Sequence, residues 1–223
     1  MHPDRVAVVI PAAGSGSRLG ADVPKAFLCV DGISLLTRSA HAMSRIANVI
    51  VVAAPEGFLD VAAGELAQVD ADVHVVAGGA DRQESISRAL AVLDHDVDVI
   101  LVHDAARALV PIDMLERIVG ALEAGASAVV PVLPVADTIR MARDDVAGDV
   151  VDRSMLRRIQ TPQGFRADVL RDAYAQATTS ETDDAALVQQ LGVEVHMVAG
   201  DERALKVTTP SDIIVLQAFL REQ

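Results

Sequence analysis

Residues 11–25 read PAAGSGSRLGADVPK and directly follow the apolar run VAVVI of residues 6–10. The apolar run is short, rich in β-branched side chains and closed by Pro11, which is typical of a fully buried strand. A first strand that leads straight into a glycine-rich loop is a common arrangement for holding phosphates in α/β proteins. We therefore interpret this strand and loop as the unit around which the fold is organised.

The loop combines three glycines with two cationic side chains. Gly14, Gly16 and Gly20 let the backbone approach a ligand closely, so that its N–H groups can point at anionic oxygens. Arg18 and Lys25 bring full positive charge to the same place. The loop therefore predicts a phosphate-binding site.

Two familiar phosphate loops do not fit this sequence. A dinucleotide fingerprint needs GxGxxG, but the fifth residue after Gly14 is Leu19, and the third glycine is displaced to Gly20. A P-loop needs lysine and serine or threonine after its last glycine, whereas Ala21 and Asp22 follow here. These motifs disfavour a hydride-transferring dehydrogenase and a P-loop NTPase, while a glycine turn without function stays open.

Apolar strand-like runs alternate with amphipathic helical runs along most of the chain, which predicts a mostly parallel, Rossmann-like α/β sheet with helices on both faces. The length of 223 residues suits a single domain, residues 1–223. The predicted strands are 6–10, 49–53, 73–77, 99–103, 128–132, 161–165 and 194–198, and the predicted helices are 33–46, 59–69, 82–93, 112–123, 167–176, 183–191 and 210–220.

The alternation breaks over residues 137–158, which carry many charges and no clean helical stripe. We interpret this stretch as an excursion from the sheet, in the form of a protruding hairpin arm. A solvated surface loop is the alternative that local sequence alone favours.

Composition restricts the partners. The net charge of −13 and the pI near 4.7 argue against binding to nucleic acid or to an anionic membrane, because both need a basic face. No stretch is long and apolar enough to predict a membrane span. Cys29 is the single cysteine, so no intrachain disulfide can form, and a reducing cytoplasm is the expected location.

Lysine is rare in this chain, and both lysines stand beside candidate ligand positions. Lys25 closes the glycine loop, and Lys206 precedes a predicted helix start at what we interpret as a strand end, where open α/β sheets bind ligands. The segment HDAAR, residues 103–107, leaves another predicted strand. Asp104 can bind a metal or a substrate hydroxyl or cap a helix, and Arg107 can hold a phosphate. His103 is better interpreted as a core residue than as a catalytic base.

The ordered set of motifs resembles the 2-C-methyl-D-erythritol 4-phosphate cytidylyltransferases, the cytidylyl-transfer enzymes of the non-mevalonate isoprenoid pathway. The resemblance runs nearly end to end and rests on PAAGSGSRLGADVPK (11–25), GGADRQES (78–85), HDAAR (103–107), ADT (136–138), DR (152–153), TPQ (161–163), TDDA (182–185) and LKVTTPSD (205–212). Ala80 and Ala108 depart from residues common in that family, an acid and a proline respectively, and both departures fall in loops.

The resemblance implies a role for each matching residue. The catalytic contacts to the CTP triphosphate fall to Arg18, Lys25 and Lys206. Nucleotide binding falls to Pro11, Ala12, Ala13, Gly14, Gly79, Ser85 and Asp104, and the methylerythritol phosphate to Asp104, Arg107, Thr138, Arg153 and Thr161. Mg²⁺ is expected as cofactor, bound mainly through the CTP phosphates and without a certain protein ligand. A homodimer is also implied, with the arm of residues 137–158 reaching the neighbouring subunit.

The implied chemistry needs no nucleophilic side chain. The acceptor phosphate is already an anion, so attack on the α-phosphorus requires positioning and charge neutralisation rather than a general base. Two other functions stay open: cytidylyl transfer to another polyol phosphate such as ribitol 5-phosphate, and nucleotide binding by a non-catalytic regulator. The presence of Arg18, Lys25 and Lys206 together argues against the regulator, because a sensor need not stabilise a transition state.

Overall fold

The computed structural model describes residues 5–14, 23–179 and 181–222 of the chain. The strands in these ranges are β1 (Val6–Pro11), β2 (Cys29–Val30), β3 (Ile33–Ser34), β4 (Val49–Ala54), β5 (Asp72–Ala77), β6 (Val99–Val102), β7 (Ala128–Pro134), β8 (Ile139–Arg143), β9 (Val146–Val151), β10 (Arg157–Ile159), β11 (Gln163–Arg166) and β12 (Val195–Ala199). The helices are α1 (Leu35–Met43), α2 (Leu59–Leu66), α3 (Arg82–Leu90), α4 (Ile112–Glu123), α5 (Ala167–Gln176), α6 (Asp184–Gln190) and α7 (Pro210–Arg221).

A mostly parallel sheet forms the centre of the molecule, as predicted. Its strand order is β10-β7-β11-β6-β1-β4-β5, and β12 also pairs with β7. The pairs β1–β4, β1–β6, β4–β5 and β7–β12 are parallel, whereas β11 runs antiparallel between β6 and β7. The carboxyl ends of β1, β4, β5 and β6 therefore lie at one edge of the sheet.

Two apolar cores cover the two faces of the sheet, because alternate residues of a strand point to opposite faces. In β1, Val8 and Ile10 belong to one core and Ala7 and Val9 to the other, and all four are fully buried. The first core includes residues of α1, α2 and α4, and the second includes residues of α3, α5 and α6. The prediction of helices on both faces is therefore confirmed.

The predicted helix over 33–46 begins later than its apolar pattern indicated. Asp31 and Gly32 have φ values of 50° and 78°, and this turn folds β2 and β3 into a short hairpin. Ser34 then caps α1 by accepting a hydrogen bond from the backbone N–H of Thr37. The turn residues outweigh the helical periodicity here, so Ile33 lies in a strand.

Residues 137–158 leave the sheet as a hairpin. Strands β8 and β9 pair antiparallel with each other in a sheet of their own, in register Ile139 with Val151. The prediction of a hairpin arm is confirmed against the surface-loop alternative. The end of the predicted excursion is wrong by two residues, because Arg157 and Arg158 already belong to β10, which pairs with β7.

Aspartate side chains cap the starts of α7 and α3. The Asp212 carboxylate accepts hydrogen bonds from the backbone N–H groups of Thr208 and Thr209 at 2.8 and 2.7 Å. At the start of α3, the Asp81 side chain caps the N–H of Glu84 at 2.8 Å, but Glu84 accepts from Ala80 instead of Asp81. In the described part of the chain, no helix has the length and apolar character needed to cross a membrane.

Candidate active site

A cleft of about 190 Å³ opens at the carboxyl ends of the parallel strands. Its walls are the segment after β1, the segment between β5 and α3, and the segment after β6. The structure brings together in this cleft nine residues that the sequence singled out: Pro11, Ala12, Ala13, Gly14, Lys25, Gly79, Ser85, Asp104 and Lys206. Residues from both ends of the chain therefore share one site.

The segment between β5 and α3 lies close to Ala13, in the described residues that follow β1. A Cβ atom on Gly78 would lie 2.5 Å from the Cβ of Ala13, so only glycine permits this approach. The Ser85 hydroxyl donates to the carbonyl of Asp81 at 2.7 Å and accepts from the N–H of Gly79 at 3.0 Å. Ser85 thus fixes the wall that the resemblance assigns to the nucleotide.

Asp104 is the carboxylate around which three cationic side chains of the cleft region gather. Its carboxylate contacts Nζ of Lys206 at 2.7 Å, Nε of Arg82 at 3.5 Å and Nε of Arg107 at 3.9 Å. Burial alone would raise the pKa of Asp104, but the charges of Lys206, Arg82 and Arg107 hold it well below its usual range. The carboxylate is therefore ionised and fixes the position of the Lys206 ammonium group.

Lys206 reaches the cleft from a different place than predicted. It lies seven residues beyond the end of β12, after the 3-10 turn Glu202–Ala204 and before α7, so the strand-end interpretation is wrong. The backbone N–H of the next residue, Val207, donates to the carbonyl of Ala106 at 2.9 Å. This bond ties the C-terminal segment to the segment after β6, which places Lys206 beside Asp104.

Arg82 is a cleft residue that sequence reasoning did not single out. Its guanidinium group donates to both carboxylate oxygens of Asp184, at 3.0 and 2.6 Å, and the Tyr174 hydroxyl donates to the same carboxylate at 2.6 Å. Asp184 is fully buried. Burial alone would lower the pKa of Arg82, but the charges of Asp184 and Asp104 raise it. The motifs GGADRQES and TDDA were the available signal, since each contains one partner of this ion pair.

Arg107 and Thr161 lie behind the cleft wall. Arg107 donates to the carbonyls of Ala204 and Ile159, at 2.7 and 3.3 Å. The Thr161 hydroxyl accepts from the backbone N–H of Asp104 at 3.0 Å. Both side chains therefore hold the cleft's framework here, and neither belongs to the cleft lining. Their predicted contacts to the acceptor stay predictions.

His103 is fully buried, as the core interpretation predicted. Its ring nitrogens lie 3.2 Å from the Thr161 hydroxyl and 3.2 Å from the carbonyl of Arg107. Burial, with a smaller contribution from the charge of Arg107, lowers the pKa of His103 to about 4, against a raising effect of Asp104. The imidazole is therefore neutral at neutral pH and is a structural group of this segment.

Because His103 is buried and neutral, we expect the folded protein to lose stability in acid. Between its ordinary pKa near 6.5 and its folded pKa of about 4, the unfolded chain binds a proton that the folded chain does not, so stability falls as the pH falls through this window. At pH 4.5 the loss attributable to His103 amounts to about 2 kcal/mol relative to pH 7. Urea unfolding of the parent and of His103→Gln at both pH values measures it, and equal losses in the two proteins would contradict this account.

Three predicted residues lie elsewhere. Thr138 is exposed on the arm, and the Arg153 guanidinium donates to the carbonyl of Ala136 near the base of the arm. Neither side chain lines the cleft of its own chain. Arg18 falls in residues 15–22, outside the described residues, so its role stays a prediction.

The described residues include no group of three or more histidine, cysteine, aspartate or glutamate side chains arranged to hold a metal ion. Asp104 and Asp81 are carboxylates of the cleft lining, and Asp104 is already ion-paired with Lys206. A divalent cation in this cleft would therefore take most of its ligands from bound phosphates, with Asp104 as a protein ligand of suitable chemistry.

The fold and the cleft together define an α/β nucleotidyltransferase, in which backbone groups and lysines gather at the carboxyl ends of parallel strands. Residues 6–222 match the family model of IspD, 2-C-methyl-D-erythritol 4-phosphate cytidylyltransferase. The chain belongs to this family.

Individual relatives agree with the family match. The chain is 51% identical over 224 residues to the 2-C-methyl-D-erythritol 4-phosphate cytidylyltransferase of Saccharopolyspora erythraea, covering 96% of this chain and 99% of the relative. It is 45% identical to the enzyme of the same name from Rhodococcus jostii, over 97% of this chain and 96% of the relative. The crystal structure of the Thermus thermophilus enzyme superposes with a TM-score of 0.83 at 38% identity, covering 97% of this chain and 99% of that one.

Proposed function

We propose that the cleft transfers a cytidylyl group from CTP to 2-C-methyl-D-erythritol 4-phosphate, giving 4-diphosphocytidyl-2-C-methyl-D-erythritol and pyrophosphate in isoprenoid precursor biosynthesis. The observation that carries the proposal is the convergence in one cleft of residues 11–14, Lys25 and the Asp104–Lys206 ion pair. Family membership supports the enzyme over a non-catalytic regulator.

In this reaction a phosphate oxygen of the acceptor attacks the α-phosphorus of CTP. The new P–O bond forms while the bond between the α-phosphorus and the bridging oxygen breaks, and pyrophosphate leaves with the electron pair. Because the attacking oxygen is an anion, no proton has to be removed from it. The protein's task is to align two anions and to neutralise the charge that develops on the α-phosphate and the leaving group.

Lys25 and Lys206 supply positive charge to this cleft. Their ammonium groups reach it from opposite ends of the chain, one after the glycine loop and one from the C-terminal segment. Asp104 fixes Lys206 through the 2.7 Å contact, so little reorganisation is needed when the transition state forms. Arg18 completes the proposed catalytic set.

Mg²⁺ is the proposed cofactor. When bound to the triphosphate it would neutralise phosphate charge and orient the leaving pyrophosphate. Asp104 and Asp81 are the carboxylates of the described cleft lining that could contribute a ligand, and because Asp104 is already paired with Lys206, most ligands would come from the phosphates.

The test is pyrophosphate release from CTP and Mg²⁺ with a panel of acceptors. Release is expected with 2-C-methyl-D-erythritol 4-phosphate, and ribitol 5-phosphate serves as the rival acceptor. ATP, GTP and UTP are the control nucleotides, and omission of Mg²⁺ tests the cofactor. Faster pyrophosphate release with ribitol 5-phosphate would assign that compound as the acceptor. No release with any polyol phosphate would overturn the proposal.

The proposed assembly is a homodimer through the arm of residues 137–158. The arm exposes apolar side chains that its own chain leaves uncovered: Met141, Val146 and Val150 are 61%, 66% and 57% exposed. Thr138 and Arg153 are not among the described lining residues of their own chain's cleft, which agrees with a role in the partner's site. A cytoplasmic location is proposed as well, on the sequence argument from Cys29.

Removing residues 140–151 tests the role of the arm. Since β8 and β9 pair only with each other among the described strands, their loss leaves the central sheet intact. The expected product is a folded monomer with at least tenfold lower turnover. Light scattering gives the mass, circular dichroism checks the fold, and pyrophosphate release gives the rate. A fully active monomer would contradict the proposed assembly.

A further inference from the structure

A second cavity lies between α1 and the start of α4, on the far side of the segment that follows β6. It has a volume of about 490 Å³. We call it the α1–α4 groove, and its wall includes Arg38, His41 and Arg45 from the α1 side and residues 108–113 from the α4 side. Among the described residues, it shares no lining residue with the active-site cleft.

Two arginines and a histidine face this groove at helical spacing. Arg38, His41 and Arg45 follow one another at intervals of three and four residues, which places them along one side of α1 and its C-terminal turn. The two arginines place positive charge here although the chain as a whole carries a net charge of −13. The row concentrates positive charge on one small surface.

Some donors of these three side chains have no partner among the described residues. Arg38 donates one bond from Nη2 to the carbonyl of Val30 at 2.8 Å, but its Nε is buried and has no hydrogen-bond partner in the described chain. The side chains of His41 and Arg45 make no hydrogen bond or ion pair with any described residue. The buried Nε of Arg38 is out of reach of a ligand, but the exposed Arg45 side chain leaves its N–H groups open to an acceptor bound in the groove.

Carboxylate side chains neutralise only part of the positive charge that lines the groove. Arg203 is held by Asp201 at 2.8 Å and lies 3.8 Å from Asp113, so it contributes little free charge. Of the described residues that line the groove, Asp113 is the single carboxylate, and Arg117 already contacts it at 3.1 Å. The positive charge of Arg38 and Arg45 is therefore not neutralised by the described lining, and the groove favours binding of an anion beside them.

The opposite wall is apolar. Leu109, Val110 and Ile112 line it together with Ala108 and Pro111. Pro111 occupies the N-cap position of α4 and has no side-chain oxygen that could accept a hydrogen bond. The first N–H groups of this helix therefore also favour an anion. A ligand that satisfies both walls carries a phosphate group at one end and a short hydrocarbon body at the other. The volume lies within the usual range for small-molecule sites.

We infer that the α1–α4 groove binds a small phosphate monoester with an apolar body, separately from the active site. The phosphate lies against Arg38 and Arg45, and the hydrocarbon lies against residues 108–112. The inference does not depend on the reaction of the cleft, although residues 103–113 supply one wall to each site.

The test is a titration of the full ¹⁵N-labelled chain, with amide shifts as the readout. The probes are inorganic phosphate, n-butyl phosphate and glycerol phosphate. Signals of Ile112 and Asp113 report the groove, and signals of Gly79 and Ser85 report the cleft. We expect n-butyl phosphate to bind the groove about tenfold more tightly than inorganic phosphate or glycerol phosphate, because only its body is apolar.

Three variants locate the binding. Arg45→Gln should weaken groove binding at least tenfold and leave the cleft signals unchanged, whereas Arg45→Lys should stay within about threefold of the parent. Asp113→Asn should tighten groove binding, since it removes a carboxylate from the lining. Binding that shifts only the cleft signals, or that is equal in Arg45→Gln and the parent, would overturn the inference. A change of oligomeric mass in Arg45→Gln without any change in phosphate binding would assign the groove to subunit contact instead.

Discussion

Replacing Lys206 with alanine is expected to lower kcat/KM for cytidylyl transfer by about 100-fold, the usual effect of removing one preorganised charge from a transition state. The reason is twofold. The variant loses an ammonium group of the cleft, and it leaves the Asp104 carboxylate without its 2.7 Å partner. That carboxylate, 12% exposed, keeps only Arg82 and Arg107 as charged partners among the described residues, and in its ionised form it would repel the triphosphate.

The control for this prediction is Lys206→Arg, which keeps the charge beside Asp104 and should recover part of the rate. The companion variant Lys25→Ala tests the other lysine of the cleft, and we expect it to lose more than tenfold in turnover. Steady-state pyrophosphate release measures all three. Activity within about threefold of the parent in either alanine variant would correspond to under 0.7 kcal/mol of barrier and would contradict the assigned role.

Asp184→Asn is expected to lower the free energy of unfolding by about 3 kcal/mol, because removing one partner of a buried ion pair leaves the other charge uncompensated. Asp184 is fully buried, and its carboxylate binds both Arg82 and the Tyr174 hydroxyl. The amide that replaces it cannot accept a bidentate contact from the guanidinium group. Urea unfolding at neutral pH gives the change.

Tyr174→Phe is the matched control for Asp184, since it removes one hydrogen bond from the same carboxylate and leaves the ion pair. It should cost about 1 kcal/mol. A loss below about 1 kcal/mol for Asp184→Asn, or a loss equal in the two variants, would show that the ion pair does not stabilise the fold. Because Arg82 also contacts Asp104 at 3.5 Å, Asp184→Asn should raise the KM for CTP as well.

The sequence predicted those features that are encoded locally. The apolar run of residues 6–10 and the glycines after it identify β1 and the cleft wall, because periodicity and glycine content act over a few neighbouring residues. The two lysines stood out because the chain has so few. The break in the alternation over residues 137–158 indicated an excursion from the sheet, although local sequence alone favoured a surface loop over a hairpin arm.

Features that depend on contacts between residues far apart in the sequence could not be predicted from local patterns. Arg82 and Asp184 are 102 residues apart, and neither shows its partner in its local sequence. Strand β11, which reads QGFR, runs antiparallel between β6 and β7, and so short a local sequence does not show the direction of its strand. Lys206 was placed at a strand end because the 3-10 turn before it has no strong sequence signal.

The charged residues that surround Asp104 are added to the growing chain at very different stages of its synthesis. Arg82 and Arg107 belong to the first half of the chain, whereas Lys206 lies close to its end, in the segment that the N–H of Val207 ties to Ala106. A nascent chain that has emerged only as far as α6 therefore carries the acid and two of its arginines but lacks the lysine. The electrostatic balance of the cleft is completed only when the C-terminal segment docks, so premature termination after α6 would leave a sheet without a working phosphate site.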